Sequence, residues 1–281
     1  MSGDRREVPC NGRVAPRGWE GRVAAERFVE PRGMRLAAEA AFICREPGGA
    51  RDRQALHGAR FDVLETRGGW AFGTLARDGY VGWLPEAALG EGSEPTHAVA
   101  VRATHLYPAP DFKRPPVAAL AFGSEVAVTG EAAGPGGPWA ETRGGFVPAR
   151  HLRSLDAPMA DPAAVAEGLA GLPYLWAGNG AGGIDCSGLA QAALLACGIP
   201  CPGDSDQQAA RVGRALGEGE ATARGDLLFW EGHVAVALDG ARMVHANVHA
   251  MAVASEGIEA AAARIMAGGG GPVTGRRRPR G

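Results

Sequence analysis

The sequence predicts an α+β chain in which two small β-barrels precede a domain built from one cysteine-bearing helix and an antiparallel meander. Three observations carry this. The octapeptide GWLPEAAL (82–89) returns as GFVPARHL (145–152). After Leu152 helical periodicity appears, first in DPAAVAEGLAGLPYLW and then in the stretch around Cys186. Finally DLLFW, HVAVAL and RMVHANV follow one another, separated by the turn dipeptides Glu231-Gly232 and Asp239-Gly240. A helix followed by antiparallel strands in one stretch of chain is an α+β plan.

The repeat extends upstream. ALHGARFDVLE and GGWAFG precede the first octapeptide, and ALAFGSEVAV and GGPWAET precede the second. Each copy reads as a short strand, a turn, a tryptophan-bearing strand, a turn, and a strand ending in Leu/Val-Pro. Alternating apolar residues such as Phe61 and Val63, or Val126 and Val128, suit half-buried strands. A unit of about sixty residues is the size of a small barrel and too long for most solenoid repeats. Both units resemble bacterial SH3-type domains. The predicted organisation is an N-terminal arm (1–34) with one helix in GWEGRVAAERF, barrels over 35–92 and 93–153, and a last domain over 154–281.

Composition excludes several classes. A net charge of -2 leaves no basic footprint for nucleic acid. GRRRPRG near the end is too short to change that, and reads as a solvated tail after a short strand at PVTG. No stretch has the apolar core of a signal peptide or the length of a membrane span, so a cytoplasmic protein without membrane partners is expected. The five cysteines are odd in number and irregularly spaced. Cys186 and Cys197 lie about 16 Å apart along one helix, beyond disulfide reach. Cys197 and Cys201 have no second ligand pair nearby, so no metal site is expected.

Within YLWAGNGAGGIDCSGLAQAALLACGIP, Asp185 is a natural N-cap, and Gly198 and Pro200 end the helix. Cys186 takes the first helical position, where unpaired amides and the helix dipole favour a thiolate. The position equally suits a small buried residue, which most unpaired cysteines are. A thiol nucleophile needs a base within hydrogen-bond reach and a group to orient that base. Only His233, His245 and His249 fall in the last domain. A two-residue Asp239-Gly240 turn would pair residue 234 with 245 and send His233 and His245 to opposite faces. A three-residue Leu238-Asp239-Gly240 loop, with Gly240 left-handed, would pair 233 with 245 and place both rings on one face. Both loops fit the residues.

Cys186 in DCSGL, His233 in GDLLFWEGHVAVAL and His245 in MVHAN resemble, in order and spacing, the NlpC/P60 family of cell-wall cysteine peptidases. PYLWAG before the cysteine and GIPCPGDSDQQA after it extend the likeness over roughly residues 155–275. The resemblance implies a circularly rearranged papain-like fold with Cys186 as nucleophile, His233 as general base and His245 as its orienter. It favours the odd-membered hairpin loop and leaves His249 as a structural strand residue. Gly178, Gly180, Gly182 and Gly183 would let backbone approach the scissile carbonyl, and the Cys186 amide would stabilise the oxyanion. Ala177 departs from the family, standing where a second glycine is common, and Asn179 takes a variable position.

Two SH3-type domains, an NlpC/P60 domain and no export signal together resemble cytosolic enzymes that recycle wall peptides. The implied reaction is hydrolysis of the γ-D-glutamyl–diamino acid bond in short murein peptides such as L-Ala-γ-D-Glu-diaminopimelate, without metal or organic cofactor. In such enzymes the first SH3-type domain closes one end of the cleft. Tyr80 matches the tyrosine lining that end, Tyr174 matches one near the cysteine, and Asp185 and Ser187 match residues that hold the substrate's free amine. Ala59 stands where relatives often carry a further glutamate. The competing readings are an exported murein endopeptidase acting on intact peptidoglycan and a non-catalytic wall-peptide-binding protein.

Overall fold

The computed structural model describes residues 3–280 and divides into two compact units, one ending at Leu152 and the other beginning at Arg153. No helix among the described residues is long and apolar enough to cross a membrane.

In the first unit the N-terminal segment departs from the expected helix. Val14–Pro16 and Arg27–Val29 pair as parallel strands, and only the single 3-10 turn Arg17–Trp19 lies between them. Pro16 opens that turn and Gly21, at φ +76°, follows it, so helical hydrogen bonding has no room to propagate. Val14 is fully buried against Leu64, Phe72, Val81 and Trp83, and Arg13 and Asn11 both donate to the Glu65 carboxylate. The segment is therefore fastened to the first barrel at both its apolar and its charged residues. Among the described residues that barrel is a seven-stranded antiparallel sheet spanning Arg32 to Gly90, wrapped around Leu36, Ile43, Phe61, Leu75 and Leu84.

The repeat is visible in the backbone. In both copies the proline ends a strand and begins a 3-10 turn, Glu86–Ala88 after Pro85 and Ala149–His151 after Pro148. A further strand then begins at Leu89 and at Leu152. The second copy has its own core of Val99, Leu106, Leu120, Val126 and Val147, around which its strands form three smaller sheets.

In the second unit four helices accompany a sheet that, among the described residues, has six antiparallel strands. Helix α1 (Pro162–Gly168) is capped by Asp161, whose Oδ1 accepts from the amides of Ala163 and Ala164. Helix α2 (Cys186–Ala196) begins at Asp185 and ends at Gly198 (φ +73°) as the capping residues predict. Helix α3 (Ser205–Arg211) lies in a polar stretch after α2, and helix α4 (Ile258–Ala267) follows the last long strand. Across the sheet the order is Arg214–Ala215, Gly275–Arg278, Leu227–Trp230, His233–Ala237, Arg242–Asn247 and Ala252–Gly257.

Helix α4 packs its Ile258, Ala262 and Ile265 onto Leu228, Ala235, Ala237 and Met243. The alternating Val234, Val236 and Val244 point the other way, and α1 and α2 pack against their two strands.

The C-terminal tail is not solvated. Gly275–Arg278 is a full member of the sheet, paired on both sides. Its three arginines are consumed by the unit itself. Arg278 donates to both oxygens of the buried Asp226, at 2.8 Å each, Arg277 reaches the carbonyls of Ala209 and Gly213, and Arg276 reaches that of Glu220. The expected strand at PVTG therefore lies a few residues further on.

The hairpin between His233 and His245 uses neither loop the sequence offers. Val236 pairs with Val244 and Ala237 with Met243, and the Leu238 amide donates to the Arg242 carbonyl at 2.8 Å. The loop is thus Asp239–Gly240–Ala241. It is closed by Asp239 Oδ1, which accepts from the amides of Ala241 and Arg242 at 2.8 Å each, and Gly240 keeps an ordinary φ. The loop is odd-membered, so both histidines share a face, but the register is displaced by one pair and sets Ala235 opposite His245.

Candidate active site

Cys186 sits at the first position of α2 with its side chain buried, against the start of the strand that carries His233. The sulfur lies 3.9 Å from the Gly232 carbonyl oxygen and accepts from the Val234 amide, the two residues flanking His233. The helix holds this place because Asp185 caps it. Oδ1 accepts from the Gly188 amide at 2.7 Å and from Ser187 Oγ at 3.0 Å, and Oδ2 accepts from the Ala177 amide at 2.9 Å. One carboxylate thus fixes the helix start and the glycine-rich loop that enters it.

His233 and His245 are in direct contact. Nε2 of His233 and Nδ1 of His245 are 2.7 Å apart, which leaves Nδ1 of His233 as the ring nitrogen not engaged by His245. On its far side His245 Nε2 meets Glu256 Oε1 at 2.6 Å, and the same oxygen is bridged by the guanidinium of Arg264. Glu256 pairs with Met243 across the last two strands, so it lies on the histidines' face, diagonally opposite His245. Neither Glu256 nor Arg264 was expected. The SEGIEAAAARIM pattern reads as one helix, yet Ser255, Glu256 and Gly257 complete a strand and α4 starts only at Ile258. Glu256 is thereby turned towards His245.

The electrostatics oppose a resting ion pair. Burial first, and the Asp185 charge second, push the Cys186 thiol up to about 12, against backbone amides that favour the thiolate. Burial, then the neighbouring His245 and Arg264, hold His233 down at about 3. Both shifts favour thiol and neutral imidazole, which corrects the thiolate expected from the helix terminus alone. The helix end still aims its amides at the sulfur, but they do not outweigh desolvation.

Residues 171–265 match the NlpC/P60 family pattern. The C-terminal unit is an NlpC/P60 cysteine-peptidase domain. Residues 43–89, most of the first barrel, match the "Bacterial dipeptidyl-peptidase Sh3 domain" family. A curated relative, the gamma-D-glutamyl-L-lysine dipeptidyl-peptidase of Bacillus cereus, is 29% identical over 225 residues, 69% of this chain and 66% of that protein. The match thus spans just under two thirds of that relative's length. Among solved structures, an NlpC/P60 family protein from Bacillus cereus superposes with a TM-score of 0.74 at 21% identity, covering 88% of this chain and 99% of that one. An NlpC/P60 endopeptidase from Photobacterium damselae subsp. piscicida gives 0.59 at 14% identity, over 88% and 74%. At these identities both show the fold.

The remaining expected residues distribute unevenly around this NlpC/P60 site. Tyr174 is close enough to Cys186 and Asp185 for their charges to add to burial in pushing its hydroxyl up to about 12, so it stands as a neutral donor. Asp185 and Ser187 are both buried beside the nucleophile. Because Ser187 spends its proton on Asp185, its oxygen is left with acceptor capacity only. Tyr80 belongs to the first unit, where it is buried with Phe61 and Leu75 and the Arg53 guanidinium lies 5.8 Å from its ring centroid. Ala59 is buried in the same core, so its side chain contributes no anion.

His249 is not a strand residue. The strand ends at Asn247, whose Oδ1 accepts from the Ala250 amide, and His249 is exposed in the turn that follows. The glycine loop also differs in purpose from the expectation. Gly183, at φ +152°, would place a Cβ 2.5 Å from that of Leu175, and a Cβ on Gly178 would stand 2.6 Å from the Gly183 carbonyl oxygen. These glycines let the loop fold on itself against the Pro173–Leu175 segment, and the Cys186 helix start is built on the result.

Proposed function

We propose that the chain hydrolyses the γ-D-glutamyl–diamino acid bond of short murein peptides that begin with a free L-alanine, releasing the dipeptide in a recycling role. The observation that carries this reading is the Cys186 sulfur set against the backbone on either side of His233, whose ring meets His245, in a chain whose first barrel matches the SH3 family of bacterial dipeptidyl-peptidases. The named activity of the Bacillus cereus relative lends the choice of bond its support.

Catalysis follows from the neutral pair. As Cys186 Sγ attacks the scissile carbonyl carbon, its proton passes to His233 Nδ1 and the carbonyl π electrons move to oxygen. The amide of Cys186 at the helix start would receive that oxyanion. Collapse of the tetrahedral intermediate expels the diamino acid's amine, which takes the proton from His233, and leaves a thioester. Water, activated by His233 in turn, then releases the acyl dipeptide. The free thiols of all five cysteines support a reducing, cytoplasmic setting, which fractionation of the native host would test.

The deciding experiment incubates the protein with murein tri- and tetrapeptides containing lysine or diaminopimelate, with N-blocked versions, and with intact sacculus, and identifies products by mass spectrometry. Release of L-Ala-γ-D-Glu from the short peptides is the expected result. Cleavage confined to sacculus would instead mark a wall-directed endopeptidase, and binding without cleavage a peptide-binding protein.

A further inference from the structure

His245 is held at both ring nitrogens, and the partners at its two sides impose an order on every proton in the chain. Arg264 has only donors to offer, so the Glu256 oxygen it bridges is an acceptor. That same oxygen lies 2.6 Å from His245 Nε2, and His245 therefore donates from Nε2. A neutral imidazole with its proton on Nε2 carries a lone pair on Nδ1. This lone pair faces His233 Nε2 at 2.7 Å, so His233 donates in its turn. Its own lone pair is left on Nδ1, the nitrogen that would take the proton from Cys186. We propose that Glu256, clamped by Arg264, is a positioning residue that sets the tautomers of both histidines and so makes His233 a base.

The direction matters because the reversed chain is equally well bonded and chemically inert. If position 256 donated to His245 Nε2, then His245 Nδ1–H would donate to His233 Nε2. His233 would present Nδ1–H to the thiol and could take no proton from it. An anchored acceptor at the far end is what selects between the two arrangements.

The surroundings agree with the assignment. His245 is almost wholly buried, and burial holds it below its ordinary range. The Glu256 hydrogen bond pulls it up and the Arg264 charge pulls it down, so the clamp supplies a proton acceptor without leaving a bare negative charge that would protonate His245. The charged groups acting on the pair are Glu256 from the neighbouring strand and Arg264 from α4. When His233 takes the thiol proton, its positive charge stands two hydrogen bonds from the Glu256 carboxylate. No proton needs to leave His245 or reach Glu256, so the step balances within the Cys186–His233 pair.

This inference rests on the peptidase reading only in its activity arm. The first measurement is a two-bond proton–nitrogen correlation spectrum of protein labelled with 15N-histidine near neutral pH, which needs no substrate. Both His233 and His245 should show the Nε2–H tautomer. In Glu256→Gln, whose amide can donate, the Nδ1–H form of His233 should grow, and kcat on the murein peptide should fall roughly tenfold to a hundredfold with KM little changed. Arg264→Lys, which keeps a cation at the clamp, should hold both the wild-type tautomers and most of the turnover.

A wild-type His233 protonated on Nδ1 overturns the proposal even if Glu256→Gln fails to fold. So does a folded Glu256→Gln with unchanged tautomers, or one with unchanged kcat. If the wild type cuts no peptide, or Cys186→Ala cuts as well, the peptidase reading is what fails, and the tautomer spectrum still judges the clamp.

Discussion

At Cys186 two influences compete, and magnitudes decide between them. A helix terminus is worth at most about 2 kcal/mol to a neighbouring charge, whereas burying a thiolate shifts its pKa by up to several units. The sulfur is buried and Asp185 adds a like charge, so the thiol wins. Asp185→Asn keeps a capping side chain but removes the charge, and should bring the pH midpoint of iodoacetamide alkylation at Cys186 downward; an unmoved midpoint would show that burial acts alone. Cys186→Ala should abolish hydrolysis with little change in Tm. His233→Ala should lose nearly as much, because nucleophile and base act as one unit. His245→Gln should lose less than His245→Ala, since an amide oxygen still accepts from His233 Nε2.

His233 also couples the site to acid stability. Its pKa falls from 6.5 in the unfolded chain to about 3 when folded, so between those values the unfolded chain binds a proton that the native chain refuses. The contribution is fully present above pH 6.5 and is lost as pH drops towards 3. Replacing His233 with Gln should flatten the fall of Tm across that window, and an identical slope in the variant would refute the coupling.

Among the elements, the loop entering α2 has a residue working against its own backbone. Ala177 adopts φ +63°, which glycine tolerates and a Cβ makes costly. Its amide is held there by Asp185 Oδ2, so the conformation is imposed by the cap of α2. Ala177→Gly should raise stability by about 1 kcal/mol, read as an increase in Tm with unchanged kcat, because relief of strain exceeds the entropy glycine gains when unfolded. A lower Tm would mean that the alanine methyl packs well enough to outweigh its backbone.

The same scale explains what the sequence revealed and what it hid. Helix α2 was legible because Asp185, Gly198 and Pro200 punctuate an apolar run, and the three central strands because turn dipeptides separate them. Helix α3 was hidden because SDQQAAR has no apolar stripe. It is held instead by buried Gln208, whose Nε2 donates to the carbonyls of Ser187 and Pro202. Gly275–Arg278 was hidden because four polar or flexible residues carry no period, and their partners Asp226 and Glu220 lie some fifty residues upstream. Cys186, His233 and His245 could be read through local motifs. Glu256 could not, because its role depends on where a strand yields to a helix, the boundary that propensity defines least well.

For the whole molecule the question is which peptide end the site selects. Asp185 carries a negative charge whose field reaches both Cys186 and Tyr174, raising each. An ammonium group bound nearby would be stabilised by that field, and Ser187 offers it an acceptor oxygen. The same carboxylate that impedes thiolate formation would then be neutralised by substrate, lowering the thiol's pKa only when a free amine is in place. Selectivity and activation would share one charge. With Asp185 as the anion, that discrimination would amount to about 1.5–3 kcal/mol of charged hydrogen bonding. Acetylating the N-terminal alanine of the substrate should therefore lower kcat/KM by roughly tenfold to a hundredfold. The loss should shrink in Asp185→Asn, where the free amine has less to gain. Equal rates for free and acetylated peptide in the wild type would leave a murein endopeptidase indifferent to the amine, and would remove Asp185 from recognition while leaving its part in holding α2 intact.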